Sequence, residues 1–255
     1  LPAGYNDFEP DIAHLDTVYF TQWSDPDLGI YTDDFAGCDV DMSLGYVYNS
    51  SESDGVFNGH YNIPVPAGGY DFFRGPEVNG EYMGMTSFTY FGAGSSISDP
   101  DLYSYSGSLQ FFNLMEGYLP RPEYPEQEPW IDPTTGEPTS FTLSGNPLTG
   151  EGWIDGIQLP PGDRRMVMAS GPFAMEPGET QEIVLALIGG HGGGALSSLD
   201  ALWENDRLAQ AAFDSDFLLT DYDIDIEFAG SEAEVIVNIG LSSPATGLFI
   251  LIEDV

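Results

Sequence analysis

Basic residues are nearly missing from this sequence. It contains no lysine and only five arginines among 255 residues, against 42 aspartates and glutamates. The formal net charge is therefore -37 at pH 7. Such a surface repels the phosphates of nucleic acids and of anionic membranes, so we expect neither as a partner. It attracts divalent cations instead, and it stays soluble at high ionic strength because salt screens the repulsion between its charges.

Cysteine and long apolar runs are also scarce. Cys38 stands alone, so no disulfide can form within the chain. The neighbouring Asp39 disfavours a reactive thiolate, and we expect Cys38 to be buried and structural. No apolar run is long enough to span a bilayer, so we expect no membrane insertion. We see no signal peptide and expect that a targeting segment has been removed from the sequence.

The sequence nevertheless has enough apolar residues to form a core, since 42% of the residues are hydrophobic and 13% are aromatic. Apolar and alternating runs predict strands at residues 16–22, 42–48, 81–91, 164–170 and 181–188, and periodic runs predict helices over 106–115 and 198–213. Residues 183–188 are apolar at every position, which predicts a strand covered on both faces. We therefore predict a mainly β fold, with a sandwich-like or jelly-roll-like main domain over residues 1–217 and two short helices.

The remaining residues, 218–255, predict a separate β segment. Residues 222–228 and 234–239 alternate between polar and apolar, and residues 247–252 are wholly apolar. A segment of roughly 40 residues rarely folds alone. We expect three strands of a sandwich that pack on the main domain, belong to a truncated domain or pair with another molecule. Unpaired strand edges are a natural means of self-association, so these strands are candidate contacts between copies.

The densest charge lies in residues 24–41, which contain six aspartates. Carboxylates crowded in this way either point into water or surround a hard cation, and Ca²⁺ takes six to eight oxygen ligands. The spacing differs from an EF-hand, since Gly29 falls at the fifth position and Ala36 at the twelfth. We predict a calcium site of another type, and a solvated acidic turn is the alternative. The predicted ligands are Asp25, Asp27, Asp33, Asp34, Asp39 and Asp41.

Catalytic motifs are not evident in the sequence. There is no Gly-x-Ser-x-Gly elbow, and the three histidines are too far apart for a His-Glu-x-x-His site. Glu151 and Asp155 flank Trp153, but with so many acids a glycosidase pair can always be nominated. The glycine-rich residues 189–194 follow a strand and precede a helix, as a phosphate loop does, yet they lack the lysine that such loops carry. We predict that the chain is not an enzyme.

Exposed aromatic residues could bind sugars by stacking. Tyr118, Tyr124 and Trp130 lie in or beside a proline-dense segment, residues 119–138, which we expect to be extended and at the surface. The alternative is that these rings clamp the segment onto the core. Glycans therefore remain candidate partners.

Five motifs stand out: DPDLG at residues 25–29, DDFAGCD at 33–39, LGYVYN at 44–49, GPF at 171–173 and PGE at 177–179. Together they resemble a block found in large, uncharacterised secreted proteins of Bacteroidota-related and marine bacteria. The resemblance covers about residues 15–217. It implies secretion by a type IX-like route, a location at the cell surface and a partial immunoglobulin-like or fibronectin-type-III-like module in residues 218–255. It carries no catalytic residue.

These observations predict a secreted, calcium-stabilised structural or adhesive protein of the extracellular cell surface, in which calcium is the cofactor. Such a protein could be a subunit of an extracellular filament, joined through its C-terminal strands. The alternative is a carbohydrate-binding module of a larger secreted degradative protein.

Overall fold

The computed structural model describes residues 15–92, 97 and 99–217, and the backbone of residues 222–228 and 235–241. One compact unit ends at Trp203 and a second begins at Glu204, so the division falls within the second helix. The domain boundary expected after residue 217 stays a prediction. No helix in the described residues has both the length and the apolar character needed to cross a membrane.

The fold is mainly β and sandwich-like with two helices, which confirms the predicted class. In chain order, the strands are β1 (Leu15–Ser24), β2 (Asp34–Asp39), β3 (Leu44–Asn49), β4 (Ala67–Arg74), β5 (Glu77–Val78), β6 (Glu81–Tyr82), β7 (Ser87–Gly92), β8 (Trp130–Ile131), β9 (Pro138–Thr139), β10 (Arg164–Met175), β11 (Val184–Gly190), β12 (Tyr222–Phe228) and β13 (Val235–Leu241). The helices are α1 (Tyr105–Met115) and α2 (Ala195–Asp214).

Two antiparallel sheets form the sandwich. The first has the order β1-β10-β7 and the second the order β11-β4-β3-β2. Their inner faces meet closely at Gly45, where an added Cβ would lie 2.7 Å from Met168 Sδ and 2.9 Å from Phe88. The rings of Phe20 and Phe72 meet across the same interface, 5.8 Å apart. Aromatic and sulfur-containing side chains therefore fill the core between the sheets.

Helix α1 covers the outer face of the first sheet. The hydroxyl of Ser87 donates to Met115 O at 2.7 Å, and that of Thr89 donates to Leu114 O at 3.3 Å. Ser104 caps the helix, since its Oγ accepts from Gly107 N at 2.9 Å. The predicted span of 106–115 is thus confirmed to within a residue.

The first turns of α2 lie against the second sheet, where the ring of Trp203 meets that of Tyr46 at 5.8 Å. The helix begins at Ala195, three residues before the predicted start. Cys38, on β2 of the same sheet, is buried as predicted, and its Sγ donates to Thr142 O at 3.4 Å. Burial raises the pKa of this thiol, as does the charge of Asp39, so the thiolate is disfavoured.

The prediction that residues 183–188 lie covered on both faces holds only in part. Ile183 and Leu185 pack against the core, and Ile188, on the opposite face of the strand, is only 7% exposed. Leu187, however, is 74% exposed, and β11 lies at the edge of its sheet. An apolar run can therefore belong to an edge strand as well as to a central one.

Residues 222–228 and 235–241 confirm two of the three C-terminal strands, since β12 and β13 pair as an antiparallel hairpin. The third predicted strand, residues 247–252, lies outside the described residues.

Candidate functional site

The acidic loop connects the two sheets of the sandwich. It leaves the first sheet at Ser24, the last residue of β1, and it enters the second sheet at Asp34, the first residue of β2. A single 3-10 turn over Tyr31–Asp33 precedes β2. The loop therefore joins two sheets that share no backbone hydrogen-bond ladder.

Two of the predicted ligands, Asp25 and Asp27, are brought together with a third carboxylate, that of Asp163. One oxygen from each lies within 4.8 Å of the other two. Among the described residues, no other set of three or more acidic, histidine or cysteine side chains gathers so closely. We call these residues the carboxylate triad. Sequence reasoning missed Asp163 because it lies on the approach to β10, far along the chain, where one acid beside Arg164 and Arg165 gives no signal.

Arg165 is the positive charge nearest to the triad. Its guanidinium lies 2.6 Å from Asp163, 3.1 Å from Asp25 and 3.1 Å from Asp99. Burial raises the pKa of Asp25, Arg165 lowers it, and the charges of Asp163 and Asp27 raise it again. One arginine thus faces four carboxylates, counting Asp27, and the group retains an excess of negative charge.

Asp34 is buried where the loop enters β2, only 1% exposed. Its Oδ2 accepts from Leu28 N at 3.1 Å, whereas its Oδ1 has no hydrogen-bond partner. Burial raises the pKa of Asp34 to about 8, despite the hydrogen bond from Leu28, and the charges of Asp33, Asp27 and Asp54 contribute to the rise. Oδ1 of Asp33 is likewise buried and without a hydrogen-bond partner.

Asp54 organises the loop from a neighbouring segment. It is 2% exposed, and its carboxylate accepts from Ile30 N at 2.8 Å and from Val56 N and Phe57 N at 2.7 Å. Gly29 has a positive φ of 74°, and a Cβ there would lie 2.5 Å from Asp54 Oδ1. Only glycine fits at this position, because both the backbone angle and the contact exclude a side chain.

The other two predicted ligands, Asp39 and Asp41, lie at the far end of β2. Asp39 Oδ1 accepts from Met42 N at 3.1 Å and so shapes the turn into β3, while Asp41 is exposed. Both line a pocket of about 270 Å³ together with Asn146 and Trp203. The structure therefore separates the six aspartates, with Asp25 and Asp27 in the triad, Asp33 and Asp34 at the end of the loop, and Asp39 and Asp41 at the far end of β2.

Residues that suggested catalysis have structural partners. Asp155 is held by Arg164 in a buried, bidentate pair, at 2.7 and 3.0 Å. In the glycine-rich loop before α2, Ala195 N donates to Glu52 Oε2 at 2.9 Å, so a carboxylate of the chain itself takes the place of a bound anion. His191 Nε2 lies 3.2 Å from Pro64 O. Of the other two histidines, His60 is exposed and His14 lies outside the described residues.

The aromatic residues of the proline-dense segment are packed to different degrees. Trp130 is only 3% exposed and stacks on Tyr90 at 5.6 Å, which removes it from any surface that could bind a sugar. Tyr124 is half exposed, but its ring meets that of Phe112 edge-on at 5.6 Å. The structure therefore supports the alternative for Trp130, in which its ring holds the proline-dense segment on the core.

No family model, curated protein or solved structure matches this chain. The resemblance to secreted bacterial surface proteins therefore stays a prediction, and the site has to be judged on its own geometry.

Proposed function

We propose that this chain is a calcium-stabilised structural domain of an extracellular surface protein. The observation that carries the proposal is the carboxylate triad, in which oxygens of Asp25, Asp27 and Asp163 lie within 4.8 Å of one another. Ca²⁺ binds its oxygens at about 2.3–2.6 Å, so two ligands of one ion are at most about 5 Å apart. The spacing of the triad is thus compatible with one shared ion.

The ligand chemistry also supports calcium. Carboxylate oxygens suit hard cations, and the exposure of Asp25 and Asp27 leaves room for the waters that would complete six to eight ligands. One arginine, Arg165, offsets only part of the negative charge of the triad and Asp99. An excess of uncompensated carboxylate is what a bound cation relieves.

The proposed role of the ion is mechanical. It would extend the β1–β10 ladder, which ends at the pair of Ser24 and Met166, by holding Asp25 and Asp27 of the loop against Asp163, the residue before β10. A chain with a single cysteine has no disulfide to supply such a link. Outside cells, where calcium is abundant, an affinity of about 0.1–1 mM suffices for occupancy.

Thermal unfolding with and without calcium tests the proposal. At a calcium concentration ten times Kd, binding to the folded state adds about 1.4 kcal/mol, which raises the midpoint by about 3–6 °C for a chain of this size. Asp27→Asn should abolish the shift, because Asp27 belongs to the triad. Asp41→Asn removes a charge of the same type outside the triad and should leave the shift intact. The proposal would be contradicted if the thermal midpoint of the wild-type protein did not change when calcium is added.

A second candidate, a carbohydrate-binding module, is favoured by the pocket at the end of β2. Asp39, Asp41 and Asn146 supply polar atoms there, beside the edge of Trp203. A glycan array tests this function directly, with Asn146→Ala as the variant and Ile157→Ala, on an exposed loop, as the control. Reproducible binding that is lost only in the Asn146 variant would favour this candidate, and an empty array would contradict it.

A further inference from the structure

The four outer edges of the sandwich are not equivalent. On β2, Cys38 N donates to Leu143 O at 3.2 Å and Ala36 N donates to Asp155 Oδ2 at 2.9 Å. On β7, Phe88 N donates to Ser140 O at 3.0 Å, and Phe88 O accepts from Thr142 N at 2.9 Å. Residues 140–155 therefore cover one edge of each sheet.

In the part of the chain that the structure describes, the edge at β11 has no such cover. Within the described residues, the backbone of Val184 to Ile188 is hydrogen-bonded only within its ladder with β4. Gly189, the next residue, makes a further interaction and does not belong to this open stretch. The open edge thus offers about five residues of extended backbone, with unpaired donors and acceptors on its outer side.

The composition of β11 makes this edge unusual in such an acidic chain. Its sequence, VLALIGG, has no charged residue and no proline, and Leu187 is 74% exposed. Proteins usually protect an open edge with charges, proline or a bulge. The other open edge, β1, has such features, since it carries Asp16 and its pairing with β10 is irregular in two places. The β11 ladder is irregular once, between Val184 and Leu185, and regular from Leu185 to Gly190. β11 is therefore the edge suited to accept another strand.

The chain also contains a segment that matches this edge. Residues 247–252, GLFILI, lie outside the described residues and are apolar at every position. At six residues, the segment is close in length to the seven of β11. Neither segment carries a charge, so their pairing brings no like charges directly opposite each other, although each copy has a net charge of -37.

We infer that the β11 edge of one copy accepts residues 247–252 of a second copy as an added antiparallel or parallel strand. Every copy then has one acceptor edge and one donor segment. Such a contact is heterologous and does not close on itself, so it produces open chains of molecules. The inference rests on the proposed function, because it names the contact through which a structural surface protein would assemble.

The experiment measures molar mass by light scattering over a range of protein concentrations. It is done in about 0.5 M NaCl, where the Debye length is about 4 Å and repulsion between copies is screened. The wild-type chain should grow in mass with concentration. Leu187→Lys, which places a charge on the acceptor edge, and Phe249→Pro, which breaks the donor, should each weaken association at least tenfold. Ile157→Lys, at a half-exposed loop position, is the matched control and should assemble like the wild type.

Mixing the two defective variants gives the sharper test. One retains only a donor and the other only an acceptor, so the mixture should stop at one-to-one dimers. A wild-type chain that stays monomeric at every concentration would overturn the inference. So would dimers that tolerate Phe249→Pro, because they would indicate pairing of two β11 edges. The masses are measured with calcium and with chelator, while the calcium-dependent midpoint is scored separately, so failure of one proposal is distinguishable from failure of the other.

Discussion

Asp155 and Arg164 form an ion pair that is nearly inaccessible to water, with side-chain exposures of 1% and 3%. Every strong donor around the carboxylate is used, since Ala36 N and Gly156 N donate to it at 2.9 and 2.8 Å in addition to the guanidinium. The pair thereby joins β2, the loop after Trp153 and β10. Its value lies in this complete set of hydrogen bonds, because a buried charge without them is costly.

Asp155→Ala should therefore be severely destabilising. Removal of the carboxylate leaves the Arg164 guanidinium buried and unpaired, which costs about 3–5 kcal/mol. Chemical denaturation in urea measures the loss. Glu128→Ala is the control, because the pair between Glu128 and Arg121 is half exposed and should contribute less than about 1 kcal/mol. Equal effects in the two variants would contradict this account.

Asp34 should make the stability of the fold depend on pH, because folding raises its pKa. The folded chain holds a proton on Asp34 up to a pKa of about 8, whereas the unfolded chain releases it near 3.8. Between these values the folded state binds more protons, so this group's contribution to stability is full below about pH 4 and is lost as pH rises towards 8. The loss is at most about 6 kcal/mol.

Asp34→Asn removes the titration while keeping the shape of the side chain. In chelator, the variant should be more stable than the wild type at pH 8 and should gain least below pH 4. Urea denaturation from pH 4 to pH 8 measures the difference between the two proteins, which cancels the titration of the other acids. A difference that does not change with pH would show that the burial of Asp34 has no effect on its ionisation.

At the scale of elements, the start of α2 shows how the chain satisfies a helix end without an external anion. Ala195 N donates to Glu52, while Gly192 N donates to Ser198 Oγ and Gly194 N donates to Ser197 Oγ, both at 2.8 Å. Side chains thus satisfy the first amide of the helix and two amides of the glycine-rich loop before it. The carboxylate of Glu52 also interacts favourably with the positive end of the helix dipole.

Glu52→Ala should consequently lower the free energy of unfolding by about 1 kcal/mol, since it removes a hydrogen bond and a favourable charge. Glu52→Gln, which retains an acceptor but not the charge, should cost less. Both are measured by urea denaturation. Asp41→Ala, which removes an exposed acid away from any helix end, is the control, and a loss of equal size in that variant would contradict the prediction.

These elements also show which features of the fold could be predicted from the sequence. Helices α1 and α2 were predictable because their apolar periodicity is local. The position of β11 was not, because a run of apolar residues does not reveal whether a strand is paired on one side or on both. Asp163 could not be assigned to the site either, since only the folded chain brings the start of β10 to Asp25 and Asp27. Local patterns predict elements, whereas edges and sites depend on contacts between distant segments.

For the whole molecule, the net charge of -37 sets the conditions under which the fold is stable. The chain has five arginines, and the side chain of Arg164 is almost entirely buried in its pair with Asp155. The cations are therefore far too few to pair with the acids, and the mutual repulsion of the acids favours expansion of the chain. Salt and bound cations relieve this repulsion in different ways, the first by screening at a distance and the second by direct coordination.

Increasing salt should stabilise the protein even without calcium. Between about 0.05 and 0.5 M ionic strength the Debye length falls from about 14 to about 4 Å, so repulsion between surface acids is largely screened. The urea midpoint in chelator should rise over this range, and it should rise equally with NaCl and with choline chloride, because screening does not depend on the cation. Urea is the suitable denaturant, since it is uncharged and guanidinium would itself screen. A midpoint that stays constant with salt would mean that the exposed acids are too far apart to repel, and that the charge of this chain has no effect on its folding.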